Sequence, residues 1–171
     1  WLMEGWTAYY DDLLLVRSGL TSQTEYLGSM TKNVRNMLGA PGRFELSLEE
    51  SSFDAWIRLY RPDENTRNSS QNYYGNGAVA AMCLDLLIRR ATKGERSLDD
   101  VLQKLYEGTF AQARGYEIAD VHRILAEICW QTSASRSATW MRANRSLASP
   151  FGRVLRPSLR SSRTALRMQQ N

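Results

Sequence analysis

The sequence predicts an all-α fold, a helical bundle. Three observations carry the prediction. Apolar residues recur at three- and four-residue spacing through most of residues 1–131. Ser22 with Glu25, and Ser97 with Asp100, form the Ser-x-x-acid pattern that opens helices. Only one short stretch, Phe44 to Leu48, alternates in the manner of a strand.

The elements follow in order. Leu2, Met3, Trp6, Tyr9, Tyr10, Leu13 and Leu14 form the apolar stripe of a first helix, which Gly19 stops. Ser22 and Glu25 cap a second helix. Its stripe is Tyr26, Met30, Val34 and Met37 with Leu38, and Gly39-Ala-Pro-Gly42 ends it. The extended piece Phe44–Leu48 comes next, then a short amphipathic helix marked by Phe53, Trp56, Ile57 and Tyr60. Arg61 to Asn72 is polar apart from Pro62 and reads as a solvated loop. Ala78 to Ile88 holds one polar residue, Asp85, so it predicts a central helix packed on several sides, with Asp85 hydrogen-bonded inside it. Ser97 starts a helix with Val101, Leu102 and Leu105 inward and Gly108 at its end. After Gly115-Tyr116 a last helix buries Val121, Ile124, Leu125 and Ile128. The expectation is six helical segments, with no internal repeat.

Composition narrows the function classes. The chain has 171 residues, enough for one domain with a sizeable core. Two cysteines, both inside apolar helical patterns, exclude a disulfide scaffold and read as buried thiols. One histidine, His122, excludes any site built from several histidines of this chain, and its neighbours Val121 and Arg123 make it a helix-rim residue. No apolar run reaches transmembrane length, and the first residues are no signal peptide. The net charge of +4 conceals a split. Residues 132–171 carry eight Arg, eight Ser, no Lys and no acid, which leaves residues 1–131 at a net of −4. A boundary is expected there, between a helical part (1–131) and an Arg/Ser-rich tail (132–171).

One carboxylate stands in the first helical turn, Glu4. The helix dipole favours an acid at that end, which accounts for most such residues. Glu4 also lies between Leu2, Met3 and Trp6, close to the apolar stripe, where a carboxylate needs a cation or a metal as partner.

The pattern Trp-Leu-x-Glu-Gly-x-Thr-x-Tyr-Tyr-Asp at residues 1–11 resembles the third-ligand helix of gluzincin-type zinc aminopeptidases. The resemblance is to the glycyl-aminopeptidase family, whose members join a catalytic domain to a PDZ domain. It continues through Ser52-Phe-Asp-Ala-Trp56, Tyr60-Arg-Pro-Asp-Glu-Asn65, Tyr73-Tyr-Gly-Asn-Gly77, Gly94 to Leu102 and Gly115-Tyr116, and so covers residues 1–131. It implies the C-terminal helical half of a thermolysin-like catalytic domain. In such enzymes two His of a His-Glu-x-x-His helix and one Glu of a later helix hold zinc. Glu4 matches the later-helix ligand. The two-histidine motif is absent from these 171 residues, so the implied zinc belongs to an intact protein. The chain alone is expected to hold none and to be inactive.

The resemblance also singles out Tyr74, matching a Tyr-x-Lys-Gly context in which the phenol steadies the oxyanion of the tetrahedral intermediate. Here Asn76 stands in place of the Lys. The other reading of Tyr74 is a ring that anchors the apolar helix behind it, and Tyr73 reads as packing. Asp63 and Glu64, acidic and in a loop, are candidates for a substrate's α-ammonium group. The implied partners are a peptide substrate, the missing N-terminal half of the catalytic domain and the PDZ domain.

The tail departs from the family. It reads as a basic arm for nucleic acid or anionic membrane, as an amphipathic membrane segment, or as sequence translated out of frame. Arg, Ser, Ala and Pro with no acid, beginning abruptly, fit the third best. The sequence thus yields a fragment of a zinc aminopeptidase and, from another class, a non-enzymatic helical module whose tail binds a polyanion. Translating the DNA for residues 132–171 in the other two frames should give acidic, helix-patterned sequence; if neither frame does, the out-of-frame reading fails.

Overall fold

A computed structural model describes residues 1–131, and the expectations placed on residues 132–171 lie outside it. All regular elements of the described residues are helical, as expected. There are seven α-helices rather than six: α1 (Leu2–Arg17), α2 (Gln23–Leu38), α3 (Leu48–Phe53), α4 (Thr66–Ser69), α5 (Gly75–Ala91), α6 (Leu98–Gly108) and α7 (Ile118–Gln131). Two 3-10 turns, Pro41–Phe44 and Phe110–Gln112, complete the order. The described residues fall into two compact units, 1–79 and 80–131, divided within α5. No described helix is long and apolar enough to cross a membrane.

In the first unit, α1 buries Leu2, Gly5, Trp6 and Tyr9. Met3 and Leu14, placed on that stripe by spacing, are exposed. The stripe is narrower than the residue types suggest, because small Gly5 takes up a position on it. Ser22 caps α2 through a full box: its hydroxyl accepts from Glu25 N, and the Glu25 carboxylate accepts from Ser22 N. Those bonds, the backbone one foremost, hold the Glu25 carboxyl below its ordinary range. Ser29 of α2 donates to Asp12 of α1 at 2.6 Å.

Three expectations fail in the segment that follows. Phe44–Leu48 is not extended: Pro41 and Gly42 drive a 3-10 turn, and Ser47 opens α3 with its own capping box to Glu50. The amphipathic helix is therefore earlier than Phe53–Tyr60. Past Asp54 the backbone runs in turns, helical periodicity no longer sorts the side chains, and Phe53 and Trp56 end 89% and 78% exposed. Ile57 and Tyr60 are exposed as well, and Ala55 alone goes inside. Nor is Arg61–Asn72 a wholly solvated loop. It contains α4, and Ser70 and Gln71 are buried, because a β-carbon on Gly42 would lie within 2.0 Å of Ser70 O. Only glycine admits that backbone approach.

The second unit is built on one face of α5 with α6 and α7. Ala81, Asp85 and Ile88 point inward, while Leu86 is exposed, so this part of α5 is one-sided rather than apolar all round. Asp85 bears out its structural reading: it accepts from Leu98 N at 2.7 Å and from Arg89 Nε at 2.9 Å. It thereby satisfies an N–H at the start of α6. Ser97 and Asp100 form the expected box there. Val101, Leu105, Val121, Ile124 and Ile128 are buried, and Lys104 pairs with Glu127 at 2.5 Å between α6 and α7. Cys83 and Cys129 are free and only half-buried, and desolvation raises both thiols above their ordinary value.

Asp85→Ala should leave the buried Leu98 N–H unpaired and cost about 1–3 kcal/mol in urea unfolding. Asp85→Asn, which keeps an acceptor, should lose less.

Candidate functional site

The site is carried by α1 and the first turn of α5. Along α1 the inward residues Leu2, Gly5, Trp6 and Tyr9 define one face. Glu4 lies two residues after Leu2, about 200° around the helix, and is exposed. Proximity in sequence to the apolar stripe misleads here: the carboxylate faces water, where it needs no buried partner. It remains in the first turn, where the helix dipole favours it.

The two helices meet backbone to backbone. A β-carbon on Gly5 would stand 2.6 Å from Gly77 Cα, and one on Gly77 would stand 2.7 Å from Gly5 Cα. Neither glycine has a positive φ. Each is required by the closeness of the other helix rather than by its own conformation.

A polar frame fixes the start of α5. The Asn72 side chain accepts from Tyr74 N at 2.9 Å and more loosely from Gly75 N at 3.4 Å, closing the helix's open N–H groups. The buried Asn76 amide donates to Gln71 Oε1 at 2.9 Å. Gln71 in turn donates through Nε2 to Leu46 O, and its carbonyl accepts from the Ser51 hydroxyl. The Asn that departs from the Lys of the resembled pattern is thus a buried member of this frame.

On the frame stand three phenols. Tyr73 is buried, as expected of packing. Tyr74 is half-buried, its ring 4.5 Å from that of Tyr73 at 30°. The Tyr60 and Tyr74 hydroxyls share a hydrogen bond of 2.8 Å. That bond is the main cause raising the Tyr74 phenol above its ordinary value, and the Glu4 carboxylate pushes the same way. Tyr73 is raised further, by its bond to Tyr74 and by burial. Glu4 and Tyr74, 70 positions apart in the chain, therefore lie within electrostatic reach of each other.

The other candidates stand elsewhere. Asp63 Oδ1 accepts from Asn65 N at 3.0 Å and from Thr66 Oγ1 at 2.9 Å, a turn-forming role at the start of α4. Glu64 is exposed beside it. His122 is exposed on α7, as its neighbours suggested. No three His, Cys, Asp or Glu of the described residues are grouped so as to hold a metal ion. Glu4 fits a zinc site as one oxygen donor, and the described residues do not make up the rest of a ligand set. Gly5, Tyr60 and Gly77 stand in the resembled motifs, but sequence gives neither them nor Asn72 a role of their own at the site. Their signals were a glycine next to the candidate ligand, a Gly-x-Gly at the start of an apolar helix, and an Asn two residues before Tyr74. Sequence places Tyr60 on a helix face.

Comparison with known proteins supports the resemblance. Residues 1–80 match the model of the M61 glycyl aminopeptidase family, a stretch that holds Glu4, Gly5, Tyr60, Tyr74 and Gly77. Residues 81–131 lie beyond the match. No curated protein and no solved structure matches the chain significantly.

Gly77→Ala should force the helices apart and cost about 1–3 kcal/mol in chemical unfolding. Gly28→Ala, within α2 with nothing inside 4 Å of the added carbon, is the control and should stabilise by up to about 1 kcal/mol.

Proposed function

With residues 1–80 matched to the M61 glycyl aminopeptidases, we propose that the chain is part of a zinc-dependent aminopeptidase catalytic domain that hydrolyses N-terminal peptide bonds. The observation that carries this reading is the nearness of Glu4 on α1 to Tyr74, which immediately precedes α5, beside the contact of the two helices at Gly5 and Gly77. An exposed carboxylate is open to coordinate a cation, and a phenol beside it can donate to an oxygen that gains negative charge during amide hydrolysis.

Glu4 would supply one zinc ligand, and the two His ligands would come from sequence outside these 171 residues. When bound, zinc supplies Lewis acidity and a more acidic water. Tyr74 would meet the carbonyl oxygen of the scissile bond as a phenol donor. The rings of Tyr73 and Tyr74, seated on the Asn72 and Gln71–Asn76 frame, fix the donor before substrate arrives. Asp63 and Glu64 are candidates for a substrate's α-ammonium group by their acidity and loop position. The chain by itself, with one donor for zinc, is inactive on this reading. A preference for N-terminal glycine or other small residues goes with the family's name.

The test is the chain extended upstream to include a His-Glu-x-x-His helix. It should bind one zinc and release N-terminal residues in a chelator-sensitive manner. Glu4→Ala should lose the metal. Tyr74→Phe should keep the metal and lower kcat by about a hundredfold or more. An extended protein that holds no zinc, or a Glu4→Ala variant that holds it as well as the parent, would overturn the proposal.

A further inference from the structure

We propose that the exposed apolar residues Phe53, Trp56, Ile57 and Tyr60 form an interaction surface, and that its partner is the polypeptide immediately upstream of Trp1 in the intact protein. This rests on the reading that the histidines of the zinc site precede Trp1, and adds to it the surface on which that part of the protein packs.

Two observations converge on one place. The first is exposure. Four large apolar residues stand open between Phe53 and Tyr60, Phe53 and Trp56 most of all. Single exposed leucines, such as Leu27 and Leu86 on other helices, are ordinary, whereas a run of aromatic ones marks a surface that meets something. The Trp56 and Tyr60 rings lie 5.0 Å apart at 36° and present a joint apolar area. The charged residues between them, Asp54 and Arg58, pair with each other at 3.2 Å, so a cover over this area strands neither charge alone.

The second observation is the position of the Trp1 nitrogen. It donates to Ser52 Oγ at 2.7 Å, and Phe53 is the next residue along the chain. By bond lengths the nitrogen lies within about 10 Å of the Phe53 Cα, a distance that about three extended residues span. A chain joined to that nitrogen therefore starts beside the apolar surface. The spot also suits an amide better than an ammonium. Burial pushes the Trp1 ammonium below its ordinary value, although the Glu4 and Glu49 carboxylates act the other way. A peptide N–H makes the same bond to Ser52 with no charge to desolvate. Apolar side chains delivered at this point gain by taking the exposed rings out of water. Covalent attachment keeps them at a high local concentration, an advantage that a second copy of the chain lacks.

The test follows Trp56 by fluorine NMR in protein labelled with 5-fluorotryptophan, its resonance assigned by its loss in Trp56→Phe. In the 171-residue chain the resonance should move on transfer from water to heavy water, at every protein concentration, as an exposed ring does. In the upstream-extended protein that movement should be lost. Phe53→Ser combined with Ile57→Ser should leave the urea midpoint of the 171-residue chain in place and lower that of the extended protein. A Trp56 already shielded in the 171-residue chain, whether by a second copy or by the chain itself, overturns the proposal. An extended protein that binds zinc while Trp56 stays exposed also overturns it and leaves the peptidase reading standing. One that shields Trp56 and holds no zinc supports this surface and overturns the peptidase reading.

Discussion

Two glycines from distant parts of the chain touch, and the candidate site depends on that contact. Helices usually pack about 8–10 Å apart, spaced by the side chains between them. Gly5 and Gly77 remove those side chains, and the backbones approach until a single added carbon would fall 2.6–2.7 Å from the opposite Cα. Glu4 immediately precedes one glycine, and Tyr74 stands three residues before the other. A carboxylate and a phenol carried so near the crossing are brought together by main-chain geometry, with no need for either to reach.

Around the crossing, polar residues do what apolar ones do elsewhere in the chain. Gln71, Asn76 and Ser51 are buried, yet each has a hydrogen-bond partner within the frame at the start of α5. Burying an amide without a partner costs several times what a satisfied one returns, so such a frame is stable only when complete. Completeness also makes it directional. The Asn72 carbonyl oxygen and the Gln71–Asn76 pair allow the first turn of α5 a single orientation, and the tyrosines follow it.

What could be read from the sequence was local. Ser22 with Glu25 and Ser97 with Asp100 mark helix starts through bonds that span three residues, and the stripes of α6 and α7 are set by helical period alone. Motifs mark Glu4 and Tyr74 as candidates, and residues 1–80 carry the family match. The segment from Phe44 to Asn72 was not legible, for two physical reasons. Its apolar residues Phe53, Trp56 and Ile57 are exposed, which inverts the rule used to find a helix's inner face, and its polar residues Ser70 and Gln71 are inside. The Gly5–Gly77 contact was invisible because a glycine's missing side chain gives no hydropathy signal. The Tyr60–Tyr74 bond joins residues whose shared position depends on a turn, not on a period.

The exposure of Glu4 and the half-burial of Tyr74 bear on when these groups can be effective. Charge–charge attraction at 4 Å is about 1 kcal/mol in bulk water and about 4 kcal/mol at an effective dielectric constant of 20. Open to solvent, the Glu4 carboxylate would interact with a cation near the weaker of these limits. On the proposed peptidase function, a peptide laid across this face would displace water with its own main chain, so the reactant would double as insulation, raising the local field when its carbonyl arrives and letting it lapse when the product leaves.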